Sequence, residues 1–128
     1  MGVSKLSKVL NQKKILVIED DKTMTVLLGR ALLEMNSDIE IHWAVSLEQA
    51  VKQLIQNTDI EQNLPYDLVI ADIFLEGNGT GLDFFKLMNE TYPRIPFLVI
   101  SSLSFDQVLE ALDGESEQGR LTYLRKPF

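Results

Sequence analysis

Short apolar runs separated by polar segments mark the strands of this chain. Ile15–Ile18, Leu68–Ala71 and Phe97–Ile100 are continuous runs rich in β-branched residues, a pattern typical of strands buried on both faces of a parallel sheet. Two further segments, Ile39–Val45 and Leu121–Leu124, mix apolar and polar positions. We therefore predict five strands, of which the second and the fifth lie at the edges of the sheet.

The second predicted strand has two different faces. Ile39, Ile41 and Trp43 fall on one side, and Glu40 and His42 fall on the other. His42 is the single histidine of the chain. Its place in mid-strand, on the polar side of an edge, favours a structural role over acid–base catalysis.

Apolar residues recur with helical spacing between the strands. The first stripe begins soon after the first strand and has six members: Met24, Leu27, Leu28, Ala31, Leu32 and Met35. The second stripe, over residues 47–55, follows the capping pair Ser46 and Gln49. A third stripe occupies Gly81–Thr91, and a fourth covers residues 105–112. We predict four helices that alternate with the strands.

This alternation predicts an α/β fold with a parallel sheet, because crossovers between neighbouring parallel strands are right-handed and run through helices. Three doubly buried strands between two half-polar ones fit a flavodoxin-like, doubly wound, five-stranded sheet of order 2-1-3-4-5. In such sheets, ligands bind beyond the carboxyl ends of the strands, at the switch point between strands 1 and 3. The residues at those ends are therefore the candidates for function.

Composition narrows the possible chemistry. With 128 residues the chain has room for one domain, and the absence of cysteine excludes disulfides and thiol nucleophiles. A net charge of −7 argues against nucleic-acid binding. No apolar run is long enough for a membrane span or a signal peptide, so we expect a cytoplasmic protein. Function must then rest on carboxylates, hydroxyls and lysines.

Suitable groups follow four of the predicted strands. Glu19–Asp21 follows strand 1, Asp72 ends strand 3, Ser101 ends strand 4, and Lys126 follows strand 5. Converging carboxylates favour a hard cation such as Mg²⁺, and a nearby hydroxyl and ammonium suit phosphoryl transfer, with Asp72 as the nucleophile. Each residue also has a simpler interpretation: helix caps for Asp21 and Ser101, a turn for Asp72, and a solvated charge for Lys126.

Four segments carry a resemblance to a known family: ILVIEDD, YDLVIAD, LVISS and YLRKPF. Together they resemble the receiver domain of two-component response regulators over residues 14–128. The resemblance implies that Asp72 is the phosphoacceptor. It also implies that Mg²⁺ is held by Asp20, Asp72 and the backbone carbonyl of Phe74, with Glu19 acting through water.

The resemblance also implies partners and a switch. The phosphoryl group would come from a phosphohistidine of a sensor histidine kinase or a histidine phosphotransfer protein. Ser101 and Lys126 would bind its oxygens, and Tyr123 would change rotamer and alter a surface read by an effector domain or a downstream protein. Phe74 and Leu103 occupy the positions that tune dephosphorylation in this family. The domain would be regulatory and not a metabolic enzyme.

The ends of the chain depart from the family pattern. Residues 1–13 form an N-terminal extension, a linker or short helix, and the sequence stops at Phe128, without the fifth helix of the family. We expect apolar surface of strands 1 and 3 to lack its cover, which would favour a homodimer. An apolar stripe in the extension is another candidate cover: Val3, Leu6, Val9 and Leu10.

Three other functions are alternatives to that of a phosphoacceptor. A degenerate receiver would bind partners without being phosphorylated. Here, however, the positions of the acidic pair, the phosphoacceptor, the hydroxyl and the lysine all hold suitable residue types. A flavin or nucleotide domain would need a glycine-rich loop after strand 1, which the sequence lacks there. An aspartate-nucleophile phosphatase would need its nucleophile after strand 1 instead of strand 3.

Overall fold

The computed structural model describes residues 13–36, 38–58, 64–72, 81–101, 106–107 and 121–125. All five predicted strands are present, and so are the first three predicted helices. Of the fourth predicted helix only Asp106 and Gln107 are described, and both are helical. The elements in chain order are β1 Lys14–Ile18, α1 Lys22–Met35, β2 Glu40–Ala44, α2 Leu47–Gln56, β3 Leu68–Asp72, α3 Gly81–Thr91, β4 Phe97–Ser101 and β5 Leu121–Arg125.

The strands form one parallel sheet of order β2-β1-β3-β4-β5. This confirms the predicted flavodoxin-like order and places β2 and β5 at the edges. Ile18 pairs with Ala71, and Asp72 pairs with Ile100. The carboxyl ends of β1, β3 and β4 therefore lie side by side. No helix follows β5 in the part of the chain that the structure describes.

Two apolar clusters cover the two faces of the sheet. On one face, α2 and α3 pack on the sheet through residues such as Leu54, Phe84 and Phe85. The ring of Phe85 meets that of Phe97 edge-on, with centroids 5.2 Å apart. On the other face, Met24, Leu28 and Leu32 of α1 pack against β1, β3 and β4. The helices thus lie on both faces, as a doubly wound fold requires.

The expectation that β1 and β3 lack their cover is wrong for the central residues of this sheet. Val17 and Ile70 are buried on the α1 face, where they belong to the same apolar cluster as Met24, Leu28 and Leu32 of α1. An exposed apolar position on the same face lies farther out, at Leu124 of β5, which pairs with Ile100. The extension with its apolar stripe falls outside the described residues.

The predicted stripe of α1 is only half correct. Met24, Leu28 and Leu32 are buried, whereas Leu27 and Met35 are exposed, as is Ala31. The three buried residues repeat every four positions and form one row along the helix, which is the row that contacts the sheet. The row of exposed residues lies beside it.

Both predicted helix starts have the expected caps. Asp21 caps α1, because its side chain accepts hydrogen bonds from the amides of Thr23 and Met24. Ser46 caps α2 by accepting from the Gln49 amide. In a capping box the Gln49 side chain would accept a hydrogen bond from the amide of Ser46. Here it accepts from the amide of Val45, one residue earlier. No described helix is long and apolar enough to cross a membrane.

A polar network lies beside β2, towards the amino ends of β1 and β3. Tyr66 is buried, and its hydroxyl accepts a hydrogen bond from Asn57 Nδ2 at 3.1 Å and lies 2.8 Å from His42 Nδ1. Lys14 donates to the Asn57 carbonyl oxygen, which fixes the orientation of the amide. The Glu40 carboxylate can only accept, so His42 donates to it through Nε2. In the neutral ring Nδ1 is then the acceptor, and the phenol of Tyr66 donates to it. His42 thus has the structural setting that its sequence position predicts.

Removing the Tyr66 hydroxyl should reduce stability by about 1 to 2 kcal/mol, because Tyr66→Phe leaves polar atoms of His42 and Asn57 without this partner. Burial, and secondly the charge of Glu40, raise the pKa of Tyr66 to about 12. The unfolded phenol ionises near pH 10, so ionisation of the unfolded chain lowers wild-type stability as the pH rises above about 10. In urea unfolding, the free energy of unfolding of Tyr66→Phe should be lower than that of the wild type at neutral pH, and the difference should become smaller above about pH 10. A difference that stays constant with pH would contradict the raised pKa of Tyr66.

Candidate functional site

Three carboxylates meet at the carboxyl edge of the sheet. Glu19 and Asp20 directly follow β1, and Asp72 is the last residue of β3. Because Ile18 pairs with Ala71, the chain brings Glu19 and Asp72 level with each other. One carboxylate oxygen from each of the three residues lies within 4.8 Å of the others. We call these three residues the acidic cluster.

The backbone around β1 holds Glu19 in place. Glu19 is buried, and its amide donates to the carbonyl of Ala44 at 2.9 Å. Its Oε2 accepts a hydrogen bond from the Asp21 amide at 3.2 Å. Asp21 caps α1 at the same time, so the start of α1 and the end of β2 together fix the direction of this side chain. Asp20, between them, is half-buried and remains accessible.

The acidic cluster is suited to a divalent cation. Three like charges at these separations repel one another, and the repulsion is strong where burial lowers the effective dielectric constant. Carboxylate oxygens are the ligands that hard ions such as Mg²⁺ and Mn²⁺ prefer. Mg²⁺ commonly takes one or two protein carboxylates and retains waters, which a half-exposed Asp20 beside a buried Asp72 can accommodate.

Two more of the predicted residues lie on the adjoining strands. Ser101 ends β4 and is buried, one position beyond Ile100, the partner of Asp72 in the sheet. Tyr123 lies in mid-β5, where it pairs with Val99 and packs against the cluster on the α2 and α3 face. The structure thus brings Ser101 to the edge that carries the acidic cluster and places Tyr123 farther from that edge.

The remaining predicted site residues fall outside the described part of the chain. Phe74 and Leu103 belong to the segments that follow β3 and β4, and Lys126 directly follows Arg125 at the end of β5. Arg125 pairs with Ser101 in the sheet. The roles of Phe74, Leu103 and Lys126 therefore stay predictions from the sequence.

A groove beside the acidic cluster has no counterpart in the sequence-based predictions. Val26 of α1, Trp43 of β2 and Val45 line it together with Glu19 and Asp20. One edge of the indole lies over Gly29 of α1, where a Cβ atom would come within 3.3 Å of Trp43 Cζ2. The alternation in β2 assigns Trp43 to the apolar side, but it does not show that the ring stays partly exposed there.

Solved structures share this fold. A phosphorylated cyanobacterial phytochrome response regulator, RcpA, matches with a TM-score of 0.73 and 22% identity, over 91% of this chain and 81% of its own. The Mn²⁺-bound response regulator Rcp1 matches with a TM-score of 0.72 and 23% identity, over 90% and 81%. Chemotaxis protein CheY4 of Vibrio cholerae gives a TM-score of 0.70 and 20% identity, over 91% and 88%. At these identities the structural likeness shows the fold alone.

Sequence comparison goes further than the fold. No curated protein sequence matches the chain. The sequence model of the response regulator receiver domain matches residues 15–128, from the second residue of β1 through the end of the chain. The match covers all five strands and the acidic cluster. The chain therefore belongs to the response regulator receiver domain family.

Proposed function

We propose that this domain is the phosphoacceptor of a two-component phosphorelay. Asp72 would receive a phosphoryl group from a phosphohistidine on a sensor histidine kinase or a histidine phosphotransfer protein. The observation that supports this most directly is the acidic cluster, in which Asp72 lies with Glu19 and Asp20 within 4.8 Å at the edge of the sheet that also carries Ser101. A nucleophilic carboxylate, two further carboxylates for a cation and a hydroxyl are then close together.

The transfer exchanges one bond to phosphorus for another. A carboxylate oxygen of Asp72 attacks the phosphorus, the phosphorus–nitrogen bond breaks, and the imidazole of the donor leaves with its electron pair. Bound Mg²⁺ would neutralise charge on the phosphoryl oxygens. Asp20, Asp72 and the backbone carbonyl of Phe74 would hold the ion, with Glu19 acting through water.

Ser101 and Lys126 are proposed to bind the oxygens of the transferred group. Charged and hydroxyl donors are most effective where water is excluded, and Ser101 is buried. Its hydroxyl would turn toward the new phosphoryl group and make room for Tyr123, which lies half-buried on the next strand. The surface of β4 and β5 would then change for an effector domain or a downstream protein.

This function is regulatory. The domain would assist only its own phosphorylation and dephosphorylation and would convert no separate substrate. We place it in the cytoplasm, where soluble phosphodonors are available, and we expect it to act without binding nucleic acid or membrane. A homodimer is a further proposal, motivated by exposed apolar residues on α1 such as Leu27 and Met35.

Intact mass after incubation with acetyl phosphate and Mg²⁺ tests the proposal. Acetyl phosphate transfers its phosphoryl group to the Asp72 carboxylate and leaves as acetate, so the wild type should gain the mass of one phosphoryl group. Asp72→Asn should gain none, because the amide is a poor nucleophile. Asp38→Asn is the matched control, since Asp38 is exposed between α1 and β2 and should not affect the gain.

The main alternative, a degenerate receiver, predicts a different result. Its fold and partner surface would be intact, but no phosphoryl group would be acquired. If folded wild-type protein shows no gain in mass with either acetyl phosphate or phosphoramidate, the phosphoacceptor proposal is wrong. A gain that persists in Asp72→Asn would place the modification elsewhere.

A further inference from the structure

Apolar residues remain partly uncovered on the α1 face of β3, β4 and β5. Of the described helices, only α1 packs on this face. Leu68 of β3 and Leu98 of β4 are half-buried there, at the margin of the α1 cluster. Leu124 of β5, which pairs with Ile100, is exposed on the same face. The three leucines lie on neighbouring strands and form a floor that α1 leaves partly open.

One flank of α1 stands beside this floor. A Cβ atom at Gly29 would come within 3.3 Å of Trp43 Cζ2, so the flank with Gly29 lies over β2. Successive helical residues turn by about 100°, which puts Leu27 and Ala31 on the opposite flank, toward β3, β4 and β5. Both residues are exposed. We call the following five residues the α1 trough: Leu27, Ala31, Leu68, Leu98 and Leu124.

The α1 trough has the width of one helix. Neighbouring strands are about 4.8 Å apart, so β4 lies about 10 Å from β1. Packed helices are separated by about 8 to 10 Å, so a second helix beside α1 would lie over β4. Leu98 would then be beneath it, and Leu27 and Ala31 would be at its side. A helix in this place needs one apolar face and one polar face.

Residues 1–12, which lie outside the described part of the chain, have this pattern. Their apolar stripe has helical spacing, and Lys5 and Lys8 fall on the opposite side of the same helix. The segment contains no acidic residue, in a chain whose net charge is −7, so charge also favours its contact with the rest of the domain. The stripe consists of Val3, Leu6, Val9 and Leu10.

We propose that residues 1–12 form a helix that docks in the α1 trough. The segment is joined to β1, which begins at Lys14, and the link from Leu10 to Lys14 spans up to about 14 Å when extended. This reach exceeds the distance from β1 to β4. A helix over residues 2–10 would be about 14 Å long, close to the length of a five-residue strand such as β4. By covering Leu124, the docked segment would also hold β5 in place.

A second copy of the chain is the competing occupant, because the homodimer proposed above would also use Leu27. The extension is favoured because it is tethered to the sheet. A short tether keeps it at an effective concentration in the millimolar range, whereas a second copy is available only at the concentration of the protein itself. We therefore expect the extension to occupy the trough in dilute solution.

Cysteine cross-linking tests the position of the segment, since the chain contains no cysteine of its own. Leu6→Cys combined with Ala31→Cys should oxidise to a disulfide within one chain, because docking brings the stripe next to this flank of α1. Leu6→Cys combined with Leu33→Cys is the control, because Leu33 lies four residues after Gly29, on the flank over β2. The trough pair should form its disulfide about tenfold faster than the control pair.

Melting temperatures give a second test. Leu27 and Leu33 are leucines of one helix with nearly equal exposure, 45% and 46%. Leu27→Ser should lower the melting temperature by about 5 °C, because it removes a contact with the docked segment, whereas Leu33→Ser should have little effect. Deletion of residues 2–12 should reduce the effect of Leu27→Ser to that of Leu33→Ser. If the shortened chain does not fold, Leu6→Ser takes the place of the deletion.

Three results would overturn the inference. The first is an equal rate of disulfide formation in the two cysteine pairs. The second is a disulfide between two chains in the trough pair, which would assign the trough to a second copy. The third is an effect of Leu27→Ser that is the same with and without the extension. None of these measurements involves Asp72, so they leave the phosphoacceptor proposal untouched.

Discussion

Millimolar Mg²⁺ should raise the melting temperature of this domain, and Asp20→Asn should remove most of that increase. The acidic cluster brings three carboxylates within 4.8 Å, so a bound cation stabilises the folded state alone. A ligand present at a hundred times its dissociation constant adds about 2.7 kcal/mol to the free energy of unfolding. If the variant binds about a hundredfold more weakly, the gain falls to about 0.4 kcal/mol at the same concentration.

The order of stability of the two proteins should reverse when the metal is removed. With a chelator present, Asp20→Asn should unfold at a higher temperature than the wild type, because it lacks one of the mutually repelling charges; for a half-exposed residue the gain is about 1 kcal/mol. With Mg²⁺ the wild type should be the more stable. Asp38→Asn, a change of the same kind far from the cluster, should follow the wild type in both conditions. If Mg²⁺ leaves every protein unchanged, the cluster is not a divalent site.

The sheet order could be predicted because burial on both faces leaves a simple mark on the sequence. β1, β3 and β4 have buried residues at nearly every position, so they read as continuous apolar runs. β2 carries exposed and half-buried positions and reads as mixed. Strands that are buried on both faces must be central, and mixed strands lie at the edges. This division and the right-handed crossovers together predict the order of the sheet.

The side of α1 that is buried could not be predicted with the same accuracy. Six apolar residues form a stripe wider than the line along which a helix touches a flat sheet. Periodicity gives the direction of the stripe, but the packing partner decides which row is buried. Here Met24, Leu28 and Leu32 contact the sheet, and the neighbouring row with Leu27 and Met35 does not.

The acidic cluster and the groove that Trp43 lines beside it differ in how far the sequence predicts them. Glu19, Asp20 and Asp72 stand at strand ends, so topology alone brings them to one edge. The groove depends on a close approach of α1 to β2 at Gly29, which leaves the indole of Trp43 over the helix. Helix-to-edge distance is a property of the packed structure, and a pattern of apolar positions does not encode it.

Phosphorylated protein should keep its phosphoryl group for a long time. Hydrolysis of an aspartyl phosphate needs a water in line with the phosphorus and opposite the Asp72 oxygen. The resemblance to the receiver family places Phe74 and Leu103 beside that path, and both residues lie outside the described part of the chain. Both are apolar, so neither can orient the water by a hydrogen bond, and the large ring of Phe74 should also exclude it.

Replacing either apolar residue with an amide should speed the decay of the phosphorylated form. For Phe74→Asn and for Leu103→Gln we expect an acceleration of about tenfold, which corresponds to roughly 1.4 kcal/mol from one water-orienting hydrogen bond. The measurement is the loss of the phosphoryl group, followed by intact mass after the phosphodonor has been removed. Phe74→Leu is the control: it reduces the bulk of the side chain without adding a polar group, so it separates access of the water from its orientation. Decay that is equal or slower in both amide variants would show that neither residue controls the approach of water to Asp72.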